Sequence, residues 1–210
     1  MKTLDKMDLY RLNKNDYAAP KKPMLLDIAR ATYLAISGQG APGGDLFTAS
    51  IGALYGMAFT IKMTRKFAGR QDYTVCKLEG RWWSDSSPCF AQLPKDQWQW
   101  QLCIRTPEFI TLEELDQAAA VLLKRGKGAE VKRVTLETLT EGKCVQMLHV
   151  GPYDQEHRTA ALLRAFAEKQ GFEFHGRHHE IYLSDPRRVA PEKLKTILRR
   201  PVRPMDRVKD

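Results

Sequence analysis

Residues 176–188, GRHHEIYLSDPRR, hold the carboxylate whose placement is hardest to explain as solvation. Side chains alternate along a strand, so His178, Glu180 and Tyr182 share one face while His179, Ile181 and Leu183 share the other. Ser184, Asp185 and Pro186 then stop the strand, because proline cannot donate to a ladder and Asp and Ser favour turns. A glutamate set mid-strand between an imidazole and a phenol is a candidate buried acid, suited to general-base work or to acting as counter-charge. An ordinary exposed strand glutamate is the competing reading, and alternation alone leaves both open.

Other chemically capable residues point away from metals and nucleotides. His175, His178 and His179 lie close in sequence, but His178 and His179 face opposite sides of a strand and do not chelate one ion, so no metal site is expected. Cys76, Cys89, Cys103 and Cys144 form no CxxC pair and read as reduced core thiols. The glycine-rich run 38–45, GQGAPGGD, matches neither GxGxxG nor GxxxxGK[ST]; it reads as a turn with Asp45 as N-cap of the next helix. No cofactor is expected.

A net charge of +9 over 210 residues fits a nucleic-acid binder, yet nine basic and three acidic residues fall in 187–210, as in a solvated face or tail. No helix-turn-helix, zinc finger or RNP-type strand accompanies that excess, so direct nucleic-acid binding is not expected. No apolar run approaches the ~20 residues of a membrane span, and the N-terminus lacks a signal-peptide core, so a cytoplasmic location is expected.

The elements that must position these residues follow from periodicity. Residues 1–30 read as a partly ordered arm closed by Pro20 and Pro23, and 31–210 as one domain. Strand 31–37 leads through the glycine-rich turn to a helix over 46–63 with a stripe of Ile51, Leu54, Tyr55, Ala58, Phe59 and Met63. Strand 73–83 carries Glu79, Trp82 and Trp83, and strand 98–106 alternates Trp98, Trp100, Leu102 and Ile104 with Gln99, Gln101, Cys103 and Arg105. Thr111 and Glu114 make a capping box for the next helix. Segments 131–139 and 143–150 read as a hairpin about Thr140, Glu141 and Gly142. A helix opened by residues 151–154 follows, with Ala161, Leu162, Ala165, Phe166 and Lys169 as its stripe. The Glu180 strand and a last strand over 193–202 complete the chain.

Laid out so, the chain repeats itself. Each half, about 31–125 and 131–202, runs strand, helix, strand, strand; LCIRTP matches TILRRP at an offset of 94, Gly38 matches Gly151 at 113, and Glu79 sets beside Glu180 at 101. The fold expected is α+β: two pseudo-symmetric strand-helix-strand-strand repeats forming one antiparallel sheet, helices on one side and a ligand cleft on the other. Aromatic walls around a carboxylate suit a flat hydrophobic or cationic ligand. Some of the four tryptophans belong instead to the core.

The runs QMLHVGPYDQE, HHEIYLSDPRR and KTILRRPV, with EGRWW, WQWQLCIRTPEFIT and ALYGMAFTIK, resemble the GyrI-like small-molecule-binding superfamily, in particular its free-standing members. The resemblance implies a ligand cleft with a glutamate at its base. It assigns the acid and aromatic lining to Glu180, Tyr182, Trp82, Trp83, Trp98 and Trp100, with Tyr55, Glu79 and Tyr153 as weaker candidates. In related multidrug-sensing regulators this fold is a sensor joined to a DNA-binding domain, which the arm 1–30 is not expected to supply. Some free-standing members hydrolyse the cyclopropane ring of DNA-alkylating cyclopropanoid natural products. The resemblance thus implies either a cofactor-independent hydrolase with Glu180 as base and Tyr182 as hydrogen-bond donor, or a multidrug-binding protein that captures aromatics without chemistry. A modulator of a macromolecular partner such as a topoisomerase is the remaining alternative, since kinship of fold does not carry function.

Overall fold

The computed structural model describes residues 5–87 and 90–205. Cys89 and the last basic residues, Arg207 and Lys209, lie outside the described residues. In chain order the elements are α1 (Leu9–Leu12), β1 (Met24–Ile28), β2 (Ala31–Gln39), α2 (Asp45–Phe67), β3 (Leu78–Trp83), β4 (Gln99–Arg105), α3 (Leu112–Lys124), β5 (Thr135–Leu139), β6 (Gly142–Val150), α4 (Glu156–Lys169), β7 (Phe172–Phe174), β8 (His178–Tyr182) and β9 (Lys195–Pro204). Helices and antiparallel ladders make this the α+β class expected. The chain divides into two compact units: residues up to Asn13 with Ala31–Leu139, and Lys14–Arg30 with the chain from Thr140 on.

In the first unit β4 sits between β3 and β2, and β5 lies on the far side of β2. Leu34, Ile36, Trp82, Trp100, Leu102 and Ile104 bury themselves with Leu54, Met57, Ala58 and Ile61 of α2. The α2 helix starts with Gly44 as N-cap and Asp45 as its first residue, where a carboxylate favours the positive end of the helix dipole. Contrary to the expectation of no span-length apolar run, α2 is long and apolar enough to cross a membrane by length and composition. Here it packs on the sheet, and carries Lys62 to Asp72 at 2.9 Å and Arg65 to Glu114. Glu114 closes the expected capping box, accepting from the Thr111 backbone at 3.2 Å while its own N–H donates to Thr111 Oγ1 at 3.3 Å. Strand β3 begins only at Leu78; Tyr73 makes an isolated bridge to Met7.

In the second unit β9 lies between β6 and β8, β1 flanks β6, and β7 pairs with the end of β9. Residues 14–30, expected as part of an arm, are built into this unit. Arg199 Nη2 donates to the Asp16 carbonyl, Gln146 Nε2 donates to the carbonyls of Asp16 and Ala18, and Tyr17 packs with Ile181 and Ile197. The expected hairpin of 131–139 with 143–150 does not form: β5 pairs with β2, and β6 pairs with β1 and β9. Glu141 in the connection is drawn into the second unit by His179 and Arg199, each 2.9 Å away, which holds the chain out of a tight turn.

The register bears on the repeat. Gly38 lies opposite Trp100, and Gly151 N donates to the Leu194 carbonyl, so the offsets of 113 and 94 hold in the ladders. Leu78 pairs with Ile104, whereas Glu180 pairs with Leu198, the counterpart of Ile104. Leu78 therefore corresponds to Glu180, and Glu79 to Ile181. A one-residue slip changes the face of every side chain on a strand, so Glu79 is not the partner position expected.

Candidate acid–base site

Strand β8 presents His178, Glu180 and Tyr182 on one face, as alternation requires. Across the ladder Glu180 meets Leu198, which packs with Leu163 and Ala167 of α4. The alternation had been expected to turn Glu180 toward a helix-free face; the register turns it toward α4 instead. The helix brings its own acid there. The buried stripe of α4 is Glu156, Thr159, Leu163 and Ala167, at spacings of three and four, and the His149 ring fixes Thr159 at 2.9 Å. This stripe lies on a different side of the helix from the expected one, since Leu162 is 56 % exposed.

The result is a compact group. Tyr182 Oη donates to Glu180 Oε2 at 2.8 Å, and His178 Nε2 lies 3.3 Å from Glu180 Oε1. Glu156, His178 and Glu180 each bring a ligand-type atom within 4.8 Å of the others. The Tyr153 ring meets that of Tyr182 edge to face, centroids 5.9 Å apart. Glu156 and Glu180 are 9 % and 8 % exposed, so two acids share a desolvated space. Burial first, and then the charge and hydrogen bonding of Glu180, push the Glu156 carboxyl up to about 10. Burial, followed by the charges of Glu156 and Glu180, pushes the Tyr153 phenol up to about 12. At neutral pH Glu156 therefore keeps its proton. A carboxyl that keeps its proton beside a second buried carboxyl gives a candidate acid and a candidate base in one place.

The opposite face of β8 carries a different network. His179 Nδ1 reaches both oxygens of Glu141 at 2.9 Å, and Arg199 contacts Glu141 at 2.9 Å and Gln146 at 2.7 Å. Burial alone would raise the Glu141 carboxyl, but His179 and Arg199 hold it well below the usual carboxylate range.

The remaining expected site residues belong to the first unit. Trp82 and Trp100 face each other across β3 and β4, and both are buried in the core against α2. Trp82 is stacked between Phe47, at 5.7 Å, and Phe90, at 6.4 Å, while Trp98 meets its edge at 5.8 Å and donates its indole N–H to the Leu93 carbonyl at 3.0 Å. Trp83 is partly buried on the other face of β3, opposite Gln99, and Tyr55 stacks on Phe59 at 6.2 Å. Glu79 is buried opposite Cys103, away from the tryptophan pair, and with burial it pushes the Cys76 thiol up to about 12. Cys76, Cys103 and Cys144 are buried thiols, as expected.

Glu180, Tyr182 and Tyr153 are thus gathered in one place, joined by His178 and by Glu156, which sequence reasoning missed. Its signal was present: residues 156, 159, 163 and 167 carry a helical period running straight into the GPYDQE segment.

Comparison with known proteins agrees with this architecture. A profile described as the GyrI-like small molecule binding domain matches residues 21–203. A crystal structure of a conserved protein from Listeria innocua superposes with a TM-score of 0.88 at 39 % identity, covering 94 % of this chain and all of that one. Two crystal structures of hydrolases from Listeria innocua are similar at 38 % and 37 % identity, with TM-scores of 0.84 and 0.86, covering 94 % and 95 % of this chain and the whole of each. No curated protein matches.

Proposed function

From the premise that the chain belongs to the GyrI-like small-molecule-binding family, we propose that it is a hydrolase of strained, conjugated electrophiles of the cyclopropanoid type. The observation that carries this reading is the buried pairing of Glu156 with Glu180 beside two tyrosines. Similarity to two hydrolases over their whole lengths supports it. In the reaction, Glu180 takes a proton from water as the water oxygen bonds to a ring carbon. The strained carbon–carbon bond breaks, and its electron pair passes through the conjugated system to the carbonyl oxygen. Glu156 is the acid placed to return a proton to that oxygen, and Tyr182 holds Glu180 by the hydrogen bond on Oε2. Every step uses side chains and water.

The edge-to-face pair of Tyr153 and Tyr182 favours a second reading, capture of flat aromatic cations with Glu180 as counter-charge and no turnover. Incubation with a cyclopropanoid electrophile and mass spectrometry of the product separates the two. A product heavier than the substrate by one water, formed by the wild type and lost in Glu180→Gln, supports hydrolysis. Retention of full rate by Glu180→Gln removes Glu180 as the base, and absence of any product from the wild type leaves capture as the function.

A further inference from the structure

We propose that Glu156, His178 and Glu180 form a binding site for a divalent transition-metal ion of the zinc class. Their donor atoms converge within 4.8 Å. The 3.3 Å between His178 Nε2 and Glu180 Oε1 is the spacing of two donors on a tetrahedral ion with bonds of about 2.0–2.1 Å. Glu156 supplies the third donor: its Oε1 is buried and has no hydrogen-bond partner among the described residues. Tyr182 occupies the other oxygen of Glu180, which leaves Oε1 to the ion and fixes the carboxylate in the manner of an outer-shell partner.

Electrostatics point the same way. Two acidic side chains only 8 % and 9 % exposed lie side by side, and a cation bound between them would take the place of the Glu156 proton, since carboxyl ligands deprotonate on binding metal. One imidazole with two carboxylates suits zinc and its neighbours; calcium and magnesium take oxygen ligands alone. Three protein donors leave a fourth position open, as in zinc sites that bind a further ligand. Sequence reasoning passed over this set because it compared histidines with one another, and the third ligand comes from α4.

The test reads metal binding by the full-length protein, so its failure leaves the hydrolase reading untouched; an ion held by Glu156 and Glu180 occupies both groups of the acid–base step, so the metal-loaded and the hydrolytic states are distinct. Zinc is titrated in competition with a chromogenic chelator at neutral pH, with excess magnesium as a hardness control. The expected result is one equivalent of zinc withdrawn from the chelator and not displaced by magnesium. Affinity is expected to fall at least about tenfold in His178→Ala and in Glu156→Gln, and to be unchanged in variants of the exposed His157 and His175. Glu156→Gln keeps the side-chain volume, so the test stands if His178→Ala fails to fold. No withdrawal of zinc, wild-type affinity in Glu156→Gln, or loss of binding with His157 or His175 overturns the proposal.

Discussion

His179 and Glu180 are neighbours on β8, yet they serve separate acid networks on opposite faces of the sheet. His179 grips Glu141 at 2.9 Å, while Glu180 accepts from Tyr182 at 2.8 Å. The first network is a buried ion cluster tying β8, β9 and the segment around Asp16 together. The second places the carboxyl pair under α4. Variants of the two residues should therefore fail in different ways.

Removing Glu141 should cost stability. Glu141→Gln leaves His179 and Arg199 buried without their anion, a loss of about 3–5 kcal/mol at neutral pH by the behaviour of broken buried pairs. The folded carboxyl lies below its ordinary value of 4.5, so its contribution is present above that value and is lost as the pH falls below it. Urea unfolding at pH 7 and pH 4 should show the gap between wild type and variant narrowing in acid. A constant gap would speak against the ion cluster.

Glu156→Gln should act in the opposite sense. The folded protein keeps a proton that the unfolded chain releases above about 4.5 and that Glu156 itself loses only near about 10. Stability of the wild type therefore declines as pH rises through that window, and a neutral amide removes the decline. Melting temperatures of the metal-free proteins, measured from pH 4 to pH 10 with a chelator present, should diverge upward in pH in favour of the variant. Parallel curves would mean that Glu156 titrates normally.

Tyr182→Phe deletes a donor to a buried carboxylate while keeping the ring against Tyr153. A loss of about 1–3 kcal/mol in stability is expected, the cost of leaving a buried acceptor without its donor. If Tyr182 positions Glu180 for chemistry, turnover falls while binding of neutral aromatics, read by ligand titration, stays within about twofold. Unchanged turnover would leave Tyr182 with a structural role alone.

Gly38 lies beneath the indole of Trp100, where an added Cβ would collide with the ring. Gly38→Ala should therefore destabilise by about 1–3 kcal/mol, the usual cost of overpacking. That cost should largely vanish in a Trp100→Leu background, where the six-membered ring is gone. Denaturation of the two single variants and the double variant measures this coupling; strict additivity would refute the contact.

Periodicity alone made much of this molecule legible. The strand carrying Glu180, the capping box of Thr111 and Glu114, the buried thiols of Cys76, Cys103 and Cys144 and the α+β order all follow from local pattern, because alternation and capping are rules of neighbouring residues. The α4 stripe was misjudged because Leu162 and Phe166 are more apolar than Glu156 and Thr159, although the latter pair faces the core. Hydrophobicity ranks residues without knowing which face the sheet will cover.

What the sequence by itself determined is that Glu180 lies mid-strand with His178 and Tyr182 on its side. The tertiary structure decided what that side meets. The ladder from Glu180 to Leu198 turned the acid toward α4, the helical period brought Glu156 onto it, and a single-residue slip in register sent Glu79 to the other face of its own strand. Register and helix rotation are set by packing between segments distant in sequence, so no local pattern contains them.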